Sequence, residues 1–175
     1  GHPAPLARRR AEALGAGSIL ANQYEAGANI KAHEETTAEE IWEQTGGTVD
    51  AFVMGAGTGG TIAGVSRLLK RRKPGVQVFL ADPPGSVLHS RVEFGVAYVP
   101  EQQERTARRN RYDTIMEGVG LDRITANFAQ ARIDRAFRVD DDESIAMARR
   151  LLDEEILEFG DRCAASHRAA AAARA

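Results

Sequence analysis

The sequence predicts an α/β fold in which a parallel sheet is flanked by helices on both faces. An apolar run at 50–54 is followed by a glycine-rich segment and an amphipathic stretch at about 60–72, which predict a strand, a loop and a helix. A second apolar run at 76–81 follows the turn Pro74-Gly75. Strand, helix and strand at this spacing form a right-handed βαβ unit with parallel strands.

The residues before this unit are predicted to contain two helices, one short strand and a long loop. Residues 6–15 have a helical pattern and end on a glycine, which favours a helix C-terminus. Residues 18–21 predict a short strand, and the polar stretch 22–35 is expected to be irregular. The threonines at 36–37 each precede a glutamate by three residues, a capping-box pattern that predicts a helix from about 38 to 44.

The residues after the unit carry weaker signals. The segment 86–113 has many charges and little periodicity, so we expect an irregular surface segment. Residues 117–120 predict a further loop and residues 136–139 a further short strand. Four acidic residues at 140–143 open a helix predicted at about 142–154, because carboxylates favour a helix N-terminus.

The predicted domain organisation is one domain followed by a tail. Residues 1–163 carry the predicted strands and helices, and no domain boundary is evident within them. Residues 164–175 are rich in alanine and arginine and contain almost no large apolar side chain. We therefore expect this tail to be frayed.

The composition is that of an ordinary globular protein and favours no strongly charged partner. The chain has 175 residues, 43% of them hydrophobic, and a net charge of −2. The basic run 70–73 ends a predicted helix, where cations complement the dipole, so no nucleic acid partner is predicted. No stretch of 18 apolar residues occurs, so no membrane span is predicted.

Few side chains are candidates for metal or covalent chemistry. The lone Cys163 excludes an internal disulfide and is expected to be a small buried residue. His33 and His89 lie in polar segments and are expected to be solvated. No pair of histidines or carboxylates has metal-ligand spacing, so no metal site is predicted.

The glycine-rich loop between the first predicted strand and helix is the strongest functional signal. A glycine-rich turn presents several backbone N–H groups at a helix N-terminus, where the dipole favours negative charge. Threonine hydroxyls can add further donors. The loop is therefore suited to a phosphate group, and its candidate ligands are Gly57, Thr58, Gly59, Gly60 and Thr61.

Spacing alone leaves open whose phosphate this is. Gly55, Gly57 and Gly60 satisfy the pattern G-x-G-x-x-G, and Asp82 follows Gly60 by 22 residues at the end of the next predicted strand. This is the fingerprint of a dinucleotide-binding fold, in which the acid binds a ribose. One alternative is therefore an NAD-binding oxidoreductase.

The motifs around the loop form an ordered series. They occupy residues 22–25, 29–33, 35–47, 49–53, 57–61, 64–66 and 117–120. This series resembles the cysteine synthase and cystathionine β-synthase family, pyridoxal-phosphate (PLP) enzymes of fold type II. The resemblance extends from about residue 6 to about residue 160 and corresponds to the C-terminal half of the family fold. It implies that residues 1–163 are part of a large PLP-binding domain whose N-terminal half is absent.

The resemblance implies a cofactor, a reaction and partners. Residues 57–61 match the loop that binds the phosphate of PLP, and Gly118 and Gly120 match a segment beside the cofactor and substrate. The implied reaction is β-replacement on O-acetylserine or serine with a sulfur nucleophile, a transferase or lyase step of cysteine biosynthesis. The family also implies a small amino-acid substrate, a homodimer and an intracellular protein, cytoplasmic or mitochondrial.

Three parts of the family pattern are missing. The Schiff-base lysine and the asparagine loop that grips the substrate belong to the N-terminal half, so no catalytic residue is identifiable in this sequence. Asp161, Arg162 and Cys163 stand where the family has a G-x-S-S-like stretch, whose serine meets the pyridine nitrogen. A second hypothesis is therefore a truncated, non-catalytic relative that binds phosphate or PLP.

Overall fold

The computed structural model describes the backbone of residues 3–99, 114–155 and 161–173, and the side chains of residues 6–99, 114–153 and 164–173. Part of the segment expected to be irregular, residues 100–113, lies outside the described residues. The side chains of Asp161, Arg162 and Cys163 also lie outside them. The expected burial of Cys163 therefore stays a prediction.

The described residues form helices around a three-stranded parallel sheet. The helices are α1 Pro3–Leu14, α2 Gly27–Glu35, α3 Thr37–Gln44, α4 Gly60–Arg72, α5 Leu88–Phe94, α6 Asp141–Glu155 and α7 Asp161–Ala173. The strands are β1 Ala51–Gly55, β2 Gln77–Asp82 and β3 Arg135–Arg138, in the order β1-β2-β3. The three predicted strands near 50–54, 76–81 and 136–139 are confirmed, as are the helices predicted at about 60–72 and 142–154.

Alternate residues of the strands face two different apolar clusters, because successive side chains of a strand point to opposite faces. On one face, side chains of the sheet pack against α4, and the sheet members are Phe52, Met54, Val78, Leu80 and Ala136. On the other face, they pack with α7, and the sheet members are Val53, Ala81 and Phe137. Helices thus cover both faces, which confirms the predicted fold class.

Helix α4 is the crossover between β1 and β2. Its apolar side chains recur with helical spacing at Ile62, Val65, Leu68 and Leu69, and each is at most 1% exposed. Burial of each of these side chains contributes roughly 1.5–3 kcal/mol. The parallel pairing of β1 with β2 brings the C-terminal ends of both strands to one edge of the sheet. The glycine-rich loop and the loop after β2 therefore lie side by side.

Two expectations for residues 18–35 are wrong. Residues 27–35 form helix α2, even though Ile30 is the only residue of this helix that is buried. This helix is held by close packing on α4, since a Cβ atom at Gly64 would lie 2.7 Å from the backbone oxygen of Ile30. Residues 18–21 are not a strand: they pair with no strand in the described part of the chain, and Ile19 is 95% exposed.

The helix predicted at about 38–44 is confirmed as α3, but the capping box is wrong. The Thr36 hydroxyl donates to the carbonyl oxygen of Ala32 at 2.8 Å, and that of Thr37 contacts His33. No side-chain hydrogen bond caps the start of α3. A second difference is α5, which occupies part of the segment expected to be irregular.

The expected frayed tail is also wrong. Helix α7 continues past residue 163 to Ala173, and Ala164, Ala165 and Ala169 are at most 2% exposed. Two of these alanines pack with Met116 and Val139 beneath the sheet. A helix can be anchored by alanines alone when its backbone approaches the sheet closely.

Replacing Ala169 with leucine should lower the free energy of unfolding by about 2 kcal/mol, because extra methylene groups overfill a packed site. Ala171, two residues further along α7, is exposed and gives the matched control. Ala171→Leu should leave the free energy within about 0.5 kcal/mol of the wild type. Urea unfolding checks both, and equal stability of the two variants would mean that α7 does not pack on the sheet.

Candidate functional site: the glycine loop before α4

The glycine-rich loop makes a sharp turn from β1 into α4. Gly59 is the residue before the helix and has φ +85°, a left-handed conformation that favours glycine. No acidic residue lies in the first turn of α4. The helix N-terminus therefore carries its positive partial charge without a carboxylate to neutralise it.

The loop leaves most of its backbone donors unused. Thr58 Oγ1 accepts hydrogen bonds from the amide of Gly60 at 3.3 Å and from Asn29 Nδ2 at 3.2 Å, so its own hydrogen is left to donate. No protein group in the described part of the chain accepts a hydrogen bond from the amides of Gly57, Thr58, Gly59 or Thr61. Residues 57, 58 and 61 are partly exposed. The loop can therefore offer amide and hydroxyl donors to an anion.

The 117–120 loop lies directly against the glycine loop. The amide of Gly120 donates to the carbonyl oxygen of Ala56 at 2.9 Å. A Cβ atom at Gly57 would overlap the carbonyl oxygen of Gly118. Gly118 and Gly120 both have positive φ, +77° and +81°. The structure thus brings Gly118 and Gly120 against residues 56–57, which lie more than 60 residues earlier in the sequence.

Three residues that the sequence analysis did not single out fix the shape of the loop. Thr125 Oγ1 donates to the carbonyl oxygen of Thr58 at 2.8 Å. The backbone of Phe128 lies where a Cβ atom at Gly59 would fall, 2.6 Å away. Asn29 bonds both to the loop and to the carbonyl oxygen of Gln23 at 2.8 Å. Asn29 lies within one of the family motifs, whereas Thr125 and Phe128 carried no signal in the sequence.

His33 links the glycine loop to α3. Its Nε2 lies 3.1 Å from Thr61 Oγ1, and its Nδ1 lies 3.0 Å from Thr37 Oγ1. His89 lies elsewhere, after β2, and its Nδ1 is buried without a hydrogen-bond partner in the described part of the chain. Burial, reinforced by the charge of Arg138, lowers the pKa of His89 below its usual range. Both histidines are partly exposed, so the expectation that they are solvated is wrong for Nδ1 of His89 and holds for part of each ring.

A shallow cavity adjoins Gly118 and Gly120 on the side of the loop after β2. Its volume is about 230 Å³, and its lining includes Pro83, Ser86 and Met116. Residues 57–61 do not line it. The 117–120 segment therefore contacts the glycine loop on one side and lines the cavity on the other, while residues 57–61 lie outside the cavity.

Asp82, the acid of the dinucleotide pattern, is not available to a ribose. It is 1% exposed, and its Oδ2 accepts a hydrogen bond from the amide of His89 at 2.8 Å. Its Oδ1 is buried without a partner in the described part of the chain. Burial raises the pKa of this carboxyl from 3.8 to about 6, although the hydrogen bond from the His89 amide, the nearby Ser86 hydroxyl and the charge of Arg138 act in the opposite direction. This burial argues against the dinucleotide alternative.

The basic run at the end of α4 is engaged by acidic side chains. The pairs are Lys70 with Asp134, Arg71 with Glu34, Arg72 with Glu39 and Lys73 with Asp50, at 2.6–2.7 Å. These charges largely offset one another, which leaves little net potential to attract a polyanion.

Neither a metal-binding group nor a membrane span is present among the described residues. They contain no group of three or more histidine, cysteine, aspartate or glutamate residues placed to hold a metal ion. None of the helices described is both long and apolar enough to span a bilayer.

Comparison with known proteins gives a consistent set of relatives. The sequence pattern of the family described as "Pyridoxal-phosphate dependent enzyme" matches residues 3–175. The chain is 47% identical over 155 residues to cysteine synthase 2 of Schizosaccharomyces pombe, covering 87% of this chain and 39% of the relative. It is 45% identical over 157 residues to cysteine synthase 1 of Emericella nidulans, covering 88% and 40%.

A third relative is cystathionine beta-synthase of Rattus norvegicus, 41% identical over 143 residues, covering 82% of this chain and 23% of the relative. The chain thus spans about two-fifths of the length of the fungal relatives and less of the rat protein.

Proposed function

Because the chain belongs to the pyridoxal-phosphate dependent enzyme family, we propose that residues 57–61 hold the phosphate group of PLP. The observation that carries this proposal is the set of amides at Gly57, Thr58, Gly59 and Thr61 that no described protein group uses. The unneutralised N-terminus of α4 adds a favourable dipole for a dianion. These residues therefore fit the group.

Gly118 and Gly120 are proposed to lie beside the rest of the cofactor. Their contact with residues 56–57 supports this part of the proposal. Glycines at these positions keep the surface free of side chains that would fill the space. Their role in the proposal is therefore to shape the pocket and to let a substrate approach.

The proposed reaction is β-replacement on O-acetylserine or serine with a sulfur nucleophile. It is supported by relatives named cysteine synthase that are 45–47% identical. When bound, PLP supplies an electron sink for reactions of the amino-acid substrate. The part assigned to this chain is binding and orientation: backbone amides, hydroxyls and a helix dipole fix the anionic end of the cofactor.

Two further features are carried as proposals from the family. We propose that the protein acts as a homodimer, which sedimentation or light scattering would test. We also propose an intracellular location, in the cytoplasm or in mitochondria, which imaging of a tagged protein in its native cell would test.

The first expected result is selective protection by phosphate compounds. Pyridoxine 5'-phosphate carries the same phosphate as PLP but has no aldehyde to react with surface lysines. It and inorganic phosphate should raise the thermal unfolding temperature of the chain by mass action, by a few degrees at concentrations well above Kd. NAD should have no effect. Protection by NAD and not by phosphate esters would overturn the proposal.

A chimera tests the reaction. In the Schizosaccharomyces pombe relative, the matched segment would be replaced by this chain, and cysteine formation from O-acetylserine and sulfide would be measured. We expect the chimera to take up PLP and to form cysteine. A folded chimera that takes up PLP and yields no cysteine would favour the alternative of a non-catalytic relative.

A further inference from the structure

His33 lies in a chain of three polar side chains that ends at the proposed phosphate site. The chain runs from Thr61, in the first turn of α4, through the imidazole ring to Thr37 on α3, with contacts of 3.1 and 3.0 Å. The ring position is fixed because α2 and α4 approach closely at Gly64, where a Cβ atom would lie 2.9 Å from that of His33.

The tautomer of this ring determines whether the hydroxyl group of Thr61 can donate its hydrogen to a further partner. A neutral imidazole has one nitrogen that donates and one that accepts. If Nε2 carries the hydrogen, it donates to Thr61 Oγ1, and the hydroxyl hydrogen of Thr61 is free for a third partner. If Nδ1 carries the hydrogen, Nε2 accepts from Thr61, and the hydroxyl presents only lone pairs to its surroundings.

Thr37 allows the ring to change between these states at little cost. A threonine hydroxyl can donate or accept, so it can satisfy Nδ1 in either tautomer. An anion, however, is stabilised by donors and repelled by lone pairs. Binding of an anion at the loop therefore favours the tautomer with hydrogen on Nε2.

We propose that His33 is a positioning residue for the phosphate site: it donates from Nε2 to Thr61 and thereby orients the hydroxyl hydrogen of Thr61 for the bound phosphate. This inference rests on the proposed function, since it assumes a phosphate at residues 57–61. His33 does not itself touch the phosphate in this scheme. It acts through one hydroxyl group.

The direct test is the tautomer of His33 in the unmodified chain. Ring nitrogen chemical shifts, recorded by NMR on 15N-labelled protein, distinguish the two tautomers. Substitution of the other three histidines in turn assigns the signals, and the remaining signals belong to His33. On addition of pyridoxine 5'-phosphate or inorganic phosphate, the ring of His33 should be found with hydrogen on Nε2. A ring that carries hydrogen on Nδ1 alone in the bound state would overturn the inference.

Three variants test the energetic role. His33→Leu removes the donor and should weaken pyridoxine 5'-phosphate binding about five- to tenfold, as expected for the loss of one hydrogen bond. His33→Gln places an amide N–H near the position of Nε2 and should bind within about twofold of the wild type. In the Thr61→Val background, His33→Leu should cause no further loss, because the hydroxyl that it orients is gone.

The outcomes separate this inference from the proposed function. Equal binding by His33→Leu and the wild type, or an equal loss in the Thr61→Val background, overturns the role of His33 and leaves the phosphate site standing. If the wild type binds neither phosphate compound, the proposed function and this inference both fail. Urea unfolding of each variant controls for stability, and the tautomer measurement decides the question without any variant at His33 if His33→Leu does not fold.

Discussion

Gly59→Ala is expected to lower the free energy of unfolding by about 3 kcal/mol or more and to abolish binding of pyridoxine 5'-phosphate. Gly59 has φ +85°, and a left-handed backbone costs a residue with a Cβ atom roughly 1–2 kcal/mol. The new methyl group would also lie 2.6 Å from the backbone nitrogen and Cα of Phe128, which is 4% exposed. Displacing that buried backbone costs roughly 1–3 kcal/mol more.

The structure supplies two comparison variants for this experiment. Gly75 lies in a turn with no atom within 4 Å of a built Cβ, so Gly75→Ala should change stability by less than about 1 kcal/mol. Gly57→Ala has no left-handed strain, but its methyl group would overlap the carbonyl oxygen of Gly118. It should therefore displace the 117–120 loop and weaken phosphate binding with a smaller loss of stability.

Urea unfolding and ligand titration measure the two consequences separately. Wild-type stability and affinity in Gly59→Ala would contradict the conformation described for the loop. Lost stability with retained affinity would place the phosphate elsewhere in the molecule. Only the combined loss agrees with a loop whose backbone shape creates the site.

The sequence predicted the central βαβ unit because segment length, apolar spacing and turn residues all indicate the same elements there. The apolar runs of β1 and β2 have strand length, α4 has helical spacing, and glycine or proline marks each junction. The acidic start of α6 was an equally local signal. These elements are fixed by their own residues, so no knowledge of their neighbours was required.

The elements that the sequence missed depend on distant contacts. Helix α2 buries one apolar side chain, that of Ile30. It packs closely on α4 because Gly64, more than 30 residues away, has no side chain to keep the two helices apart. Helix α7 buries alanines, which a hydrophobic pattern hardly registers. The threonines at 36–37 matched a capping box, but their hydroxyls bond to α2 instead. Close backbone packing stabilises these helices, whereas a hydrophobic pattern in the sequence registers only large apolar side chains.

The candidate site likewise has a part that the sequence predicted and a part that depends on distant contacts. The phosphate-suited loop is contiguous, so its residues and its helix N-terminus were visible in the sequence. The partners that hold it, Thr125 and Phe128, come from a segment about 65 residues later and carry no motif. The link between His33 and Thr61 required α2 to be a helix, which the polar composition of residues 22–35 concealed.

Asp82 provides the second large effect, and its sign follows from its burial. The pKa of its carboxyl is raised from 3.8 to about 6 in the folded chain. The folded state therefore retains a proton that the unfolded state has already lost between about pH 4 and pH 6. In that window the free energy of unfolding contributed by Asp82 falls as pH rises, by about 3 kcal/mol in all. Above pH 6 the group is charged in both states, and the full penalty remains.

Other carboxylates contribute with the opposite sign, so the wild-type profile alone does not isolate Asp82. The backbone amide of Ala126, followed by the side chain of Arg123, lowers the pKa of Glu25. The hydrogen bond from Lys73 likewise lowers the pKa of Asp50. The stability that these two groups supply is present above their unfolded-state pKa values and is lost as pH falls. The difference between wild type and an Asp82 variant cancels both contributions.

Asp82→Asn should therefore raise the free energy of unfolding at pH 7 by about 1–3 kcal/mol, and the gain should shrink toward zero as pH falls from about 6 to 4. The amide oxygen of asparagine keeps an acceptor for the amide of His89, while the charge that burial penalises is removed. Asp50→Asn is the matched control, and it should slightly destabilise the chain at neutral pH because the Lys73 contact weakens. Urea unfolding at several pH values measures all three proteins. A loss of stability in Asp82→Asn at pH 7 would show that the fold requires the charged carboxylate, and that its burial is compensated by interactions stronger than the hydrogen bond from the His89 amide.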